Sequence, residues 1–152
     1  MDVHSYRMHF SFTVSLVTIR LLITLGHAVN VNSAHYHLLK NRIMIPAAYL
    51  QPPFFDGKAD PSANYGAIGV VIGHEITHGF DNRGSKYDAD GKKKTWWKET
   101  TAKLFSENSE CFVQQYGSMD VKSELTGDLL GKLDCNLALR ETLADNGGVN
   151  TA

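Results

Sequence analysis

Apolar residues fall along the chain in blocks whose spacing differs from block to block. Phe10 to Leu25 is mostly Val, Leu and Ile, contains no acid and carries one charge, Arg20. A membrane-spanning helix needs about 17–25 apolar residues, and Arg near its centre costs about 2.5–3.5 kcal/mol on insertion. The run is also preceded by a weak basic region, Arg7 and some His. Residues 1–30 are therefore left unassigned, as a signal or anchor or as an irregular start. Residues 31–152 read as the folded domain.

Within that domain the pattern predicts a short strand over Asn41–Pro46, where alternation meets a proline. The prolines of Gln51–Phe55 predict an extended segment. Asp56–Asn64 reads as loop. Tyr65–Phe80 is long, apolar and proline-free, which predicts a buried helix. Asp81–Lys94 is polar and glycine-punctuated, hence loop. Thr95–Tyr116 spaces Trp96, Trp97, Leu104, Phe105, Phe112 and Val113 as an amphipathic helix does. Gly117–Gly131 reads as loop. Leu137–Leu143 reads as a short helix closed by Asp145-Asn146-Gly147-Gly148.

Composition narrows the picture only slightly. The 152 residues hold 15 Lys plus Arg against 16 Asp plus Glu, a net charge of −1. No basic excess or stripe offers a nucleic-acid surface. Apolar residues make up 43%, too many for a disordered chain. Cys111 and Cys135 are the only cysteines, too few for a disulfide framework, and whether they pair is open.

The chemistry is concentrated in His74-Glu75-Ile76-Thr77-His78. On a helix, residues four apart stack on one face. Two imidazoles so placed can bind one zinc ion, and Glu75 projects near the open coordination position as a general base. Val70, Val71 and Ile72 before the motif, and Ile76 and Phe80 within and after it, predict that the helix is buried. Burying two His and a Glu without partners is costly, and a metal supplies the compensation.

A zinc site needs a third protein ligand. Glu99 is near in sequence, but its i+4 neighbour is Lys103. Glu141 has Asp145 at i+4, so one helix face offers a ligand and a carboxylate to orient a metal-bound His. That pairing favours Glu141 as ligand and Asp145 as its companion, against the plainer reading of two surface acids. Asp88, Asp90 and Gly91 lack the other ligands of a calcium loop and read as a polar turn. Trp96 and Trp97 read as core anchors. The other histidines, among them His4, His27, His35 and His37, form no ligand-spaced pair.

Asn64 to Asp81, with its core Gly73-His74-Glu75-Ile76-Thr77-His78-Gly79-Phe80-Asp81, resembles the catalytic helix of the neprilysin and endothelin-converting-enzyme metallopeptidases, family M13. Pro46-Ala47 and Leu50-Gln51-Pro52-Pro53-Phe54-Phe55 resemble the segment before it. Gly91, Trp96-Trp97, Cys111 and Gln115-Tyr116 also fit. Glu141-Thr142-Leu143-Ala144-Asp145-Asn146-Gly147-Gly148 is similar to the family's second motif, E-N-I-A-D-N-G-G. The resemblance runs from about Asn32 to Ala152.

It implies a mainly α fold with a small β-sheet (α+β), a truncated thermolysin-like zincin domain. It implies one Zn2+ held by His74, His78 and Glu141, with Glu75 as base and Asp145 orienting a zinc-bound His. It implies cleavage of short peptides beside hydrophobic residues. Family members are membrane-anchored or secreted, with the catalytic domain outside the cell. The family's Asn-Ala pair, which binds substrate backbone, is matched by Ser33-Ala34, with Asn32 one place early.

Departures accompany the match. Arg140 and Thr142 flank Glu141 where the family carries Gly and Asn. A few extra residues fall around Lys132–Leu139, including Cys135. Family members continue past Gly148 with a His and an Arg that stabilise the transition state, and with a partner for the cysteine matched by Cys111. The leading expectation is a zinc metalloendopeptidase fragment of weakened activity. Its competitors are an inactive remnant that binds zinc or peptide, and a metal hydrolase of another class.

Overall fold

The computed structural model describes residues 9–14, 17–24 and 33–152. Two strands precede the domain core, β1 (His9–Val14) and β2 (Val17–Thr24), paired antiparallel. They cover most of the apolar run that reads from sequence as a signal or anchor; Leu25, His4, His27 and Asn32 lie outside the described residues. β3 (His35–His37) and β4 (Arg42–Pro46) complete a four-stranded sheet in the order β1-β2-β4-β3. β2 runs parallel to β4 with Leu21 opposite Ile43, and β3 runs antiparallel to β4. The predicted strand over Asn41–Pro46 is β4, shortened by one residue because Asn41 adopts a left-handed conformation, φ 44°.

Gln51–Phe55 is a turn, not an extended segment. Proline fixes φ but leaves the chain free to reverse, and the N–H groups of Phe54 and Phe55 both donate to the Gln51 carbonyl at 3.1 Å. The long helix starts earlier than the hydrophobic pattern predicts. Asp60 caps it by accepting from the Ser62 N–H at 2.8 Å, and Pro61 takes the first position, where a missing N–H costs nothing. The helix runs through α1 (Pro61–Asn64), a π-helical stretch (Tyr65–Gly69) and α2 (Val70–Thr77). Its apolar residues Val71, Ile72 and Ile76 pack on a core of Ala34, Ile43 and Ile45 at the sheet. The apolar run thus seats α2, and the histidines on it, against β4.

α3 spans Glu99–Gly117. It begins four residues later than predicted, because Lys98 is extended (φ −62°, ψ 145°). Trp96 and Trp97 precede it and pack edge to face, their ring centres 5.7 Å apart, and Trp97 meets Phe105 at 5.2 Å. Both Trp residues are half-buried walls of a cavity of about 800 Å³ rather than core anchors. Leu104, expected on the buried stripe, is 58% exposed.

The predicted loop over Gly117–Gly131 contains a hairpin, β5 (Asp120–Lys122) with β6 (Leu129–Lys132). Its Leu129 and Leu130 are exposed, so no inward-outward alternation marks it in the sequence. α4 (Cys135–Thr151) is much longer than Leu137–Leu143. Asp134 caps it, accepting from the N–H groups of Asn136 and Leu137. The residues around Lys132–Leu139 thus end the hairpin and open this helix. Cys111 is exposed, Cys135 is buried, and neither is in a disulfide.

Gly147 and Gly148 do not close α4 but lie inside it. They sit where α4 crosses α2. A Cβ on Gly148 would come within 2.6 Å of the Val70 carbonyl, and one on Gly147 would overlap the Thr77 hydroxyl. A Cβ on Gly73 would stand 3.0 Å from Gly148 Cα. Glycine here serves backbone proximity, not helix termination.

Candidate metal centre

The crossing brings the second motif onto the first. His74 on α2 and His78 at its C-cap, one turn apart, set their rings 4.6 Å apart and nearly perpendicular, at 87°. Glu141 on α4 reaches between them. Its Oε2 lies 3.5 Å from His74 Nε2 and 3.4 Å from His78 Nε2. Ligand atoms of these three residues all fall within 4.8 Å of one another. Glu99, the alternative third ligand, is exposed at the start of α3 and takes no part.

Each imidazole is held from behind. His74 Nδ1 donates to Asp145 Oδ1 at 2.8 Å, across 71 residues of chain. His78 Nδ1 donates to Asp81 Oδ2 at 2.8 Å. With both Nδ1 protons so engaged, a neutral ring presents an Nε2 lone pair. Two such lone pairs then converge on a carboxylate oxygen. Three converging lone pairs repel unless a cation lies among them, and imidazole with carboxylate is a donor set that suits zinc. The residues present fit the metal.

Asp81 is the residue whose part sequence reasoning did not assign. It is 1% exposed. Its Oδ1 accepts from the N–H groups of Arg83 at 2.7 Å and Gly84 at 2.6 Å. Its Oδ2 accepts from Arg140 Nε at 2.9 Å as well as from His78. Burial pushes its carboxyl up, but these hydrogen bonds outweigh burial and hold it below the usual carboxylate range. A carboxylate three residues past the second His, just beyond the helix, was the available signal.

Glu75 is 4% exposed, and its Oε2 has no hydrogen-bond partner among the described residues. Burial raises its carboxyl above the usual range. His78, His74 and His35 oppose that, and Glu141 adds to it. Ser33 and Ala34 open the outer strand β3. Ala34 is buried in the core and Ser33 is exposed, its hydroxyl donating to the Ala34 carbonyl at 2.9 Å. Neither hydrogen-bonds to the cluster. Thr142, beside Glu141, is buried and donates to the Ala138 carbonyl at 3.0 Å. Asp88 accepts from the N–H groups of Asp90 and Lys92, the polar turn expected there.

The profile of peptidase family M13 matches residues 33–152. Neprilysin-11 of Caenorhabditis elegans is 47% identical over 120 residues, covering 79% of this chain and 14% of its own. Neprilysin of Homo sapiens is 45% identical over 122 residues, 79% of this chain and 16% of its own. Among solved structures, PepO of Lactobacillus rhamnosus superposes with a TM-score of 0.71 at 35% identity, over 78% of this chain and 18% of its own. The zinc metalloprotease Zmp1 of Mycobacterium tuberculosis also gives 0.71, at 37% identity, over 82% of this chain and 20% of its own. The chain thus spans about one-seventh to one-fifth of these relatives' length. Over the matched region, the mainly α fold with small sheets is shared with these peptidases. A profile match over residues 33–152, most of the chain, establishes that this protein, whose two motifs meet at the α2–α4 crossing, belongs to peptidase family M13.

Proposed function

We infer that the chain carries the zinc site of a metalloendopeptidase acting on short peptides. The observation that carries this reading is the convergence of His74 Nε2, His78 Nε2 and Glu141 Oε2, with a buried, unpartnered Glu75 oxygen beside them on α2. His74, His78 and Glu141 would hold one zinc ion. Bound there, zinc supplies Lewis acidity for a water molecule and for the scissile carbonyl. Asp145 and Asp81 fix the His tautomers, so that Nε2 is the free atom on both rings. Glu75, raised by burial, takes the proton of the attacking water and returns it to the leaving amine. The outer strand β3, entered through Ser33-Ala34, offers a strand edge along which a peptide backbone can lie.

The reading extends to the whole protein by its relatives. It would act on peptides outside the cell, anchored in the plasma membrane or secreted. No helix among the described residues is long and apolar enough to cross a membrane.

The test compares wild type with Glu75→Gln on short peptides cut before a hydrophobic residue. Loss of the general base should lower kcat/KM by about 10²–10⁴, while zinc content stays at one per chain. Equal rates in the two proteins would reject hydrolysis at this site and leave a binding module. A wild-type protein that retains no zinc would reject the site itself.

A further inference from the structure

Arg140 stands on α4 immediately before Glu141, and its guanidinium reaches two carboxylates. Nε donates to Asp81 Oδ2 at 2.9 Å, and a terminal nitrogen lies 3.8 Å from Glu141 Oε1. The Asp81 oxygen that accepts from Arg140 is the one that accepts from His78 Nδ1. Glu141 is correspondingly divided. Its Oε1 turns toward Arg140, and its Oε2 turns toward His74 and His78. The Glu141 side chain is 56% exposed, and among the described residues only Arg140 and the two histidines pair with it. An exposed glutamate otherwise samples several rotamers at little cost.

We propose that Arg140 is a positioning residue of the metal centre, holding Asp81 behind His78 and turning Glu141 so that one oxygen faces both imidazoles. The proposal rests on the zinc reading above. A guanidinium suits the task because it can hydrogen-bond one carboxylate in a fixed direction while its charge attracts a second one close by. Its charge is also spent on two anions, which limits its repulsion of a cation nearby. The side chain is 29% exposed, so its stem is largely packed, and a replacement that keeps the stem disturbs that packing least.

The test uses the whole 152-residue chain and two replacements. Arg140→Met keeps the length and apolar stem but removes every donor. Arg140→Lys keeps the charge but not the planar fork. Zinc affinity is measured by competition with a chelator of known affinity, and the visible absorption of the Co2+-loaded chain reports ligand geometry. Arg140→Met should bind zinc about tenfold or more weaker, the usual effect of losing a partner behind a ligand, with shifted Co2+ bands. Arg140→Lys should fall between. Unchanged affinity with unchanged bands overturns the proposal, as does a lower melting temperature with unchanged bands, which would mark a merely structural residue. Tighter zinc binding by Arg140→Met overturns it too, because the charge would then outweigh the ordering. If Arg140→Met does not fold, Arg140→Lys and Arg140→Gln decide on the same two readouts. A wild-type chain that takes up no zinc rejects the underlying zinc reading, and this proposal with it. Equal zinc affinity and equal Co2+ bands in wild type and Arg140→Met reject the role of Arg140 alone.

Discussion

His74 and Asp145 meet at 2.8 Å, Nδ1 to Oδ1, although 71 residues of chain separate them. The bond does two things. It fixes which nitrogen of His74 carries the proton, and it ties α2 to α4 beside the three converging ligand atoms. Asp145 is 71% exposed, so its removal costs little packing. Asp145→Ala should therefore weaken zinc binding about 10–100-fold with a small change in thermal stability. Chelator competition alongside a melting curve checks this, and an unchanged affinity would remove Asp145 from the site.

The helix crossing makes a second, sharper expectation. Gly148→Ala places a methyl 2.6 Å from the Val70 carbonyl and 3.0 Å from the His74 nitrogen. Backbone cannot yield as a flexible side chain can, so α4 must move off α2. Overpacking of this kind costs about 1–3 kcal/mol. Urea unfolding should show that loss, together with weaker zinc binding, because Glu141 and Asp145 move with the helix. Gly57→Ala, with nothing within 4 Å of the added Cβ, is the control and should be near neutral.

Asp81 sets a limit on acid stability. Its carboxyl lies below the usual range when folded, held there against burial by His78, Gly84, Arg83 and Arg140. The folded state therefore binds its proton less readily than the unfolded state, whose Asp titrates near pH 3.9. The stabilisation is complete above that pH and is lost as pH falls through the lower, folded value. In the presence of EDTA, urea midpoints should hold from pH 7 to about 5 and drop below about 4. Asp81→Asn should start lower and show a shallower acid drop. Equal acid slopes in the two proteins would contradict the assignment.

Chelation gives a fourth expectation. A ligand that binds only the folded state, at a hundredfold excess over Kd, stabilises it by about 2.7 kcal/mol. For a chain of this length that is a shift of roughly 5–10 °C in Tm. EDTA should lower the melting temperature by that order, restored zinc should recover it, and His74→Ala should be insensitive to both. A melting curve that EDTA leaves in place would count against zinc at this site.

The candidate site was more legible in the sequence than the architecture around it. His74, Glu75 and His78 are legible because their spacing and their chemistry agree, and the Val70-Val71-Ile72 run marks the buried helix that carries them. Glu141 and Asp145 are legible from their one-turn spacing. Gly147 and Gly148 misled, because a glycine that admits another helix and a glycine that ends its own look alike in a string of letters. The β5–β6 hairpin was hidden because Leu129 and Leu130 face outward, leaving no alternation to read. Asp81 and Arg140 were hidden for another reason. Their partnership spans 59 residues, and it exists only once α4 lies across α2.

That crossing has a topological consequence. His74 and Asp145 bound a loop of 71 residues, which contains all of α3 and the β5–β6 hairpin. Closing a flexible loop of that length costs roughly 4 kcal/mol of chain entropy by the logarithmic length rule, constant aside. On the zinc reading, an ion gripped by α2 at one end of the loop and α4 at the other is a cross-link. It does the work of a disulfide with chemistry that a chelator can undo. The same ion would then be a staple for the fold as well as a reagent, and α3 with its hairpin would be a tethered insert whose two ends are knotted at the site.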